Sequence, residues 1–103
     1  MADPVVKVVA GSALTATQKK ELMHRLARVE GQLRGIQKLI AQAEAPADCD
    51  GIAQQMTAAR KAMDRSFILL LTSSLVTHTA QAQNVEDAML RSQHLAALLD
   101  KFA

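Results

Sequence analysis

One cysteine and three histidines have side chains that could act as a nucleophile or bind a metal: Cys49, His24, His78 and His94. Cys49 follows Ala45-Pro46-Ala47-Asp48, a stretch that should end one helix and begin the next. We therefore expect the thiol in a first helical turn, where unpaired N–H groups and the helix dipole favour a thiolate. A small buried apolar residue is the alternative interpretation of this cysteine.

His78 lies near the other end of the helix that Cys49 begins. At about 1.5 Å per residue the two side chains of one chain are roughly 43 Å apart, and no metal ion spans that distance. If they act together, the second helices of two subunits must run antiparallel. Ser74 is one turn before His78, and a third helix could bring His94 to the same end. Taken alone, either histidine is also typical of a surface or capping residue.

Three helices must position these side chains, and the fold class predicted is all-α. The first, at about residues 16–43, is amphipathic, with apolar residues in steps of three and four at Leu22, Leu26, Val29, Leu33, Ile36 and Ile40. Asp48 should cap a second helix over about 49–79, and Asn84 should open a third over about 84–102. Residues 1–14 are expected to form a flexible arm, and residues 15–103 a single helical domain.

Size and composition favour an oligomer in the cytoplasm. A chain of 103 residues with only two aromatic residues would bury a thin core alone if it forms long helices. The longest uninterrupted apolar run, Phe67–Leu71, is far too short to cross a membrane. The N-terminus has no signal-peptide pattern, and a single cysteine suits a reducing compartment.

Basic residues are concentrated on the first two predicted helices. Residues 19–38 contain six basic and two acidic residues, and Arg60, Lys61 and Arg65 are accompanied by Asp64. This segregation indicates a polyanion as partner, with an ordinary solvated helix face as the alternative. His24, beside Arg25, belongs to the same basic stretch. No catalytic triad spacing, phosphate loop or Cys-x-x-Cys is present, so the sequence does not favour an enzyme.

Two stretches and the cysteine between them resemble the copper-sensitive operon repressor family, which also contains nickel/cobalt and formaldehyde sensors. These are RLARVEGQLRGIQKLI at residues 25–40, Cys49, and AQQMTAARKAMDR at residues 53–65. The resemblance covers about residues 18–102. It implies three-helix protomers that pair through antiparallel second helices and assemble into a tetramer, a dimer of dimers. It also implies a repressor that binds operator DNA and releases it when an inducer occupies a site between subunits.

The resemblance also implies roles for individual residues. Arg25 and Arg65 match basic residues that the family uses on DNA, and further basic residues should accompany them: Arg28, Arg34, Lys38, Arg60 and Lys61. Cys49 matches the first sensing cysteine. The family's usual ligand histidine falls at Ser74, while His78 takes the position of the next ligand and His94 that of an acidic residue near the metal in copper sensors.

These positions imply a metal site between two subunits. Cys49 would come from one subunit, and His78 and His94 from the other. One sulfur and one or two imidazoles suit Cu(I) first and Zn(II) next, whereas Ni(II) or Co(II) would need further ligands from residues 1–14. A formaldehyde sensor is the alternative, with the Cys49 thiolate as nucleophile beside an amine of the N-terminal arm. A helical protein-interaction module that does not bind DNA is the other alternative.

Overall fold

The computed structural model of the chain describes residues 11–102. Three α-helices account for 86% of these residues, and the described part of the chain contains no strand. The helices are α1 (Ala16–Gln42), α2 (Asp48–Gln81) and α3 (Val85–Phe102). The predicted all-α class is confirmed, and the helix ends lie within two residues of the predicted ones. Most of the expected flexible arm lies outside the described residues.

Local hydrogen bonds explain where the helices begin. Thr15 directly precedes α1 in the N-cap position. Asn84 precedes α3, and its Oδ1 accepts a hydrogen bond from the backbone N–H of Asp87 at 2.8 Å. The Asp87 carboxylate in turn accepts the backbone N–H of Gln83 at 3.1 Å. This reciprocal arrangement is close to a capping box, so the prediction that Asn84 opens the third helix is confirmed.

Asp48 does not cap α2 as the sequence predicts. Its Oδ2 atom accepts the backbone N–H groups of Glu44 and Ala45, both at 3.0 Å, and so bonds back into the connection from α1. These two hydrogen bonds lower the pKa of the Asp48 carboxyl, because they stabilise its charged form. The first residues of α2 donate instead to carbonyl groups three residues earlier; Cys49 N–H, for example, donates to Pro46 O at 3.2 Å. Helix α2 therefore starts with a tight 3₁₀-type turn.

The chain divides into two compact units, and the first to consider is residues 16–70, which contains α1 and the first part of α2. Its buried apolar side chains are Val29 and Ile36 of α1 and Ala59 of α2. Of the other members of the predicted apolar stripe, Leu22 is half-buried and three are exposed: Leu26 by 40%, Leu33 by 50% and Ile40 by 53%. Half of the stripe is thus left uncovered by the chain itself.

The second unit contains residues 11–15 and 71–102, that is, the end of α2 and all of α3. Its buried side chains are polar: Ser73, Thr77 and Arg91. Large apolar residues remain exposed on both of its helices, among them Val76, Val85, Met89 and Phe102. Within residues 11–102, no helix combines the length and the hydrophobicity that a membrane crossing requires.

Candidate functional site

The basic residues of α1 and α2 meet at an open pocket of about 370 Å³ within residues 16–70. Three arginines contribute to its walls, together with one amide, one alanine and one serine. On α1 the lining residues are three and four apart, so they share one face of the helix. The lining is formed by Arg25, Arg28, Gln32, Ala62, Arg65 and Ser66. We call this set the arginine pocket.

The arginine pocket has an excess of positive charge. Arg25 donates to Glu21 at 3.4 Å, with both side chains about half exposed (42% and 52%), so this ion pair is weak. Arg28 and Arg65 make no hydrogen bond or ion pair with any residue from 11 to 102. Gln32 Oε1, in the same lining, is buried and has no hydrogen-bond partner among those residues. Two guanidinium groups are therefore available to phosphate oxygens.

The remaining basic residues expected to contact DNA lie outside the pocket lining. All four are exposed: Arg34, Lys38, Arg60 and Lys61. Arg34 is nine residues after Arg25, or about two and a half helical turns, and so lies on the opposite side of α1. Sequence spacing predicted a single basic face, but the structure groups only Arg25, Arg28 and Arg65. A DNA contact by the other four stays a prediction.

His78 and His94 lie side by side in the unit formed by residues 11–15 and 71–102. Their ring centroids are 6.4 Å apart, and the rings are stacked with an angle of 12° between their planes. His78 is half-buried, and its Nδ1 atom is buried without a hydrogen-bond partner among residues 11–102. Ser74 is one turn earlier on α2 and also half-buried. The structure thus brings together the two histidines that the sequence proposed as ligands.

Burial lowers the pKa of His78, and the positive charges of Arg91 and His94 lower it further. The imidazole is therefore uncharged at neutral pH, which is the form that can bind a metal ion. Sequence analysis did not identify Arg91, a buried side chain whose Nε donates to Asp87 Oδ2 at 3.0 Å. The four-residue spacing of Asp87 and Arg91 on a helix was the signal available for that pair.

Cys49 is exposed, in the first turn of α2, whereas His78 is in the last turns of the same helix. Within residues 11–102, no group of three or more His, Cys, Asp or Glu side chains is arranged to hold a metal ion. The chain thus supplies two adjacent imidazoles, which are nitrogen donors suited to copper or zinc once a further ligand is added.

A family model described as metal-sensitive transcriptional repressor matches residues 18–102, which is most of the chain. The chain belongs to this repressor family. The resemblance to copper-sensitive operon repressors is thereby confirmed. Searches among curated proteins and among solved structures gave no match.

Membership of the metal-sensitive transcriptional repressor family implies DNA as a partner and a metal ion as a plausible signal. The arginine pocket supplies cationic groups of the type that contact DNA phosphates. The histidine pair supplies donors of the type that contact a transition metal. The arginine pocket lies within residues 16–70, and the histidine pair lies in the unit formed by residues 11–15 and 71–102.

Proposed function

We propose that this family member is an oligomeric, cytoplasmic repressor that binds operator DNA through the arginine pocket and releases it when an inducer binds between subunits. The observation that carries this proposal is the pocket itself, in a chain that matches the repressor family over residues 18–102. Two of its arginines have no hydrogen-bond or ion-pair partner among residues 11–102, and unpaired guanidinium groups in an open pocket are suited to phosphate.

Binding through phosphates would make affinity for DNA strongly dependent on salt, because each contact releases condensed counterions. None of the three helices is assigned as a recognition helix for the major groove. Sequence preference would then come in part from the shape and flexibility of the operator. Lys38, Arg60 and Lys61, all exposed, would add weaker contacts at the edges of the DNA site, and Arg34, on the opposite side of α1 from Arg25, would contribute least.

Oligomerisation is supported by the apolar surface that one chain leaves uncovered. Leu33, Ile40, Met56, Met63 and Ile68 are each 47–54% exposed. At about 25 cal/mol per Å² of apolar surface, covering such side chains with a second copy would be strongly favourable. We infer a dimer with antiparallel α2 helices, assembled further into a tetramer. This pairing sets Cys49 of one protomer beside His78 of its partner, which a single helix α2 cannot do.

The inducer that this site fits best is Cu(I), followed by Zn(II). Cys49 would supply a thiolate from one protomer, while His78 and His94 would supply imidazoles from the other, with Ser74 lining the site. A metal bound there would join two subunits and favour one arrangement of them over another, which is how binding at one site lowers affinity at a second. Ni(II) and Co(II) prefer more ligands than these three residues provide.

A formaldehyde or other thiol-reactive signal is the second candidate, and the exposure of Cys49 favours it. A thiol that reacts with an electrophile must be reachable from solvent, and Cys49 is exposed at the start of α2. The described residues of one protomer also contain no complete metal site. In this case Cys49 would act as the nucleophile without need of His94.

Titration of the reduced protein separates the candidates. Cu(I), Zn(II), Ni(II), Co(II) and formaldehyde are each added while binding to the DNA upstream of its own operon is followed by fluorescence anisotropy. Wild type, Cys49→Ala and His94→Ala are compared. Release by a metal that is lost in both variants supports the metal site, whereas release by formaldehyde that is lost only in Cys49→Ala supports the thiol reaction. Absence of any salt-sensitive DNA binding would instead support a protein-interaction module.

A further inference from the structure

The last residue of α2 holds a segment that precedes α1. The side-chain amide of Gln81 accepts the backbone N–H of Ser12 at 2.9 Å and donates to the backbone carbonyl of Ser12 at 3.2 Å. One amide thus satisfies both backbone groups of a single residue, as a neighbouring strand would. The two residues are 69 positions apart in the chain, so this contact is tertiary rather than local.

Gly11 makes the arrangement possible. Its φ is +111°, a conformation that side-chain-bearing residues rarely adopt. A Cβ at this position would also collide with Gln81 Oε1. Any other residue at position 11 would therefore strain the backbone and push the Gln81 amide away from Ser12. We call Gly11, Ser12 and Gln81 the latch.

We propose that Gln81 is a positioning residue that couples the state of the His78/His94 pair to the segment leading into α1. This inference rests on the proposed function. His78 and Gln81 are three residues apart and thus neighbours on the surface of α2. On the other side of the latch, only residues 13–15 separate Ser12 from the start of α1, the helix that carries Arg25 and Arg28.

The geometry of the histidine pair gives the coupling its direction. The lone pairs of an imidazole lie in the plane of its ring, and the planes of His78 and His94 are stacked nearly parallel. A metal ion held by both rings would fix the position and orientation of each imidazole relative to the other. If the last turn of α2 moves to accommodate that arrangement, Gln81 moves with it, and its hydrogen bonds to Ser12 would break. We thus assign the closed latch, which the structure shows, to the protein without inducer.

Water-exchange NMR of the Ser12 amide tests the latch directly, because that N–H is the one Gln81 holds. We expect exchange to be roughly tenfold faster in Gln81→Ala and in Gly11→Ala, as expected for the loss of about one net hydrogen bond. The double variant should exchange no faster than either single variant, since both break the same contact. Gln83→Ala is the matched control and should leave the rate unchanged. Equal rates in all variants would overturn the proposal.

The coupling is tested by adding Zn(II), and in a second sample Cu(I), to the wild type while the ring signals of His78 and His94 report binding. We expect Ser12 exchange to rise to the rate found in Gln81→Ala. His94→Ala breaks the stacked pair without any metal and should also raise the rate. If metal binds the rings and neither it nor His94→Ala changes Ser12 exchange, the coupling is refuted.

Failure of the proposed function would have a different signature. It would show as unchanged DNA affinity in the presence of metal, measured by anisotropy on the same samples, with Ser12 exchange still responding to His94→Ala. In Gln81→Ala, we expect DNA and metal each to bind, but the ratio of DNA affinities with and without metal to fall by at least fivefold. A ratio equal to that of the wild type would contradict a role for Gln81 in transmission.

Discussion

Arg28→Ala removes one of the two arginines in the arginine pocket that pair with none of the residues the structure describes. The pocket has three guanidinium groups, and the Glu21 carboxylate offsets one of them, so its net charge falls from about +2 to about +1. If Arg28 neutralises one phosphate in each protomer that contacts DNA, the slope of log K against log salt becomes less steep by about 0.9 per contact. At 0.1 M salt the same relation predicts a roughly eightfold loss of affinity per contact.

The assay is fluorescence anisotropy with labelled operator DNA at four or more salt concentrations. Arg34→Ala is the matched control, because it removes the same side chain from the same helix at an exposed position outside the pocket. Glu21→Gln should act in the opposite direction, since it releases Arg25 from its ion pair. Circular dichroism verifies that each variant keeps its helices.

Two results would refute the reasoning. An unchanged salt slope in Arg28→Ala would show that the pocket does not meet DNA phosphates. An equal loss of slope in Arg28→Ala and Arg34→Ala would show that general positive charge, rather than the pocket, determines binding.

Three further predictions concern stability, ionisation and assembly. Asn84→Ala should lower the free energy of unfolding by about 1 kcal/mol, because it removes the hydrogen bond from the Asp87 N–H at the start of α3. Asn84→Asp keeps an oxygen acceptor and should largely restore the stability. Urea denaturation measures both changes. In an NMR titration His78 should titrate below its ordinary value of 6.5, and His94→Gln should raise the His78 pKa; a His78 pKa at or above 6.5 would contradict the burial described. Since the folded state holds the lower pKa, His78 binds protons more readily when unfolded, so its contribution to stability is present above pH 6.5 and is lost as pH falls below it. Leu33→Asp replaces an exposed apolar side chain with a charged one and should dissociate the proposed oligomer, which light scattering would detect as a lower mass. Glu30→Asp, on the same helix, is the control and should leave the mass unchanged. An intact oligomer in Leu33→Asp would place the interface elsewhere.

The helices could be predicted from the sequence because each has a local cause. Apolar spacing predicts α1, Pro46 interrupts the chain after it, and Asn84 followed by Asp87 begins α3. The function of Asp48 could not be predicted in the same way. An acidic residue before a helix can bond forward or backward, and the choice depends on the conformation of Ala43–Ala47, which spacing does not reveal.

The candidate site was predictable to a lesser degree. Resemblance to a family proposed Arg25, Arg65, Cys49 and His78 as functional positions, and their roles stay predictions. Charge counts could not separate the arginine pocket from the rest of the basic surface. The pocket residues can be told apart from the other basic residues only when the angular position of each residue about its helix axis is known. Arg91 was missed because its burial depends on tertiary packing, and a basic residue in an amphipathic helix is normally expected to face solvent.

The hydrogen bonds that Asp48 accepts from Glu44 and Ala45 also limit which insertions and deletions the connection between α1 and α2 can tolerate. The carboxylate accepts the N–H groups three and four residues earlier, and these bonds form only when the connection between α1 and α2 has its present length. One residue inserted between Ala45 and Asp48 would lengthen the connection and break these two hydrogen bonds; if α2 absorbed it by a shift of one residue in register, each of its side chains would turn by about 100° about the helix axis. Arg65 would then leave the pocket it shares with α1. Insertions or deletions in this connection should therefore be rarer in viable variants than substitutions in it.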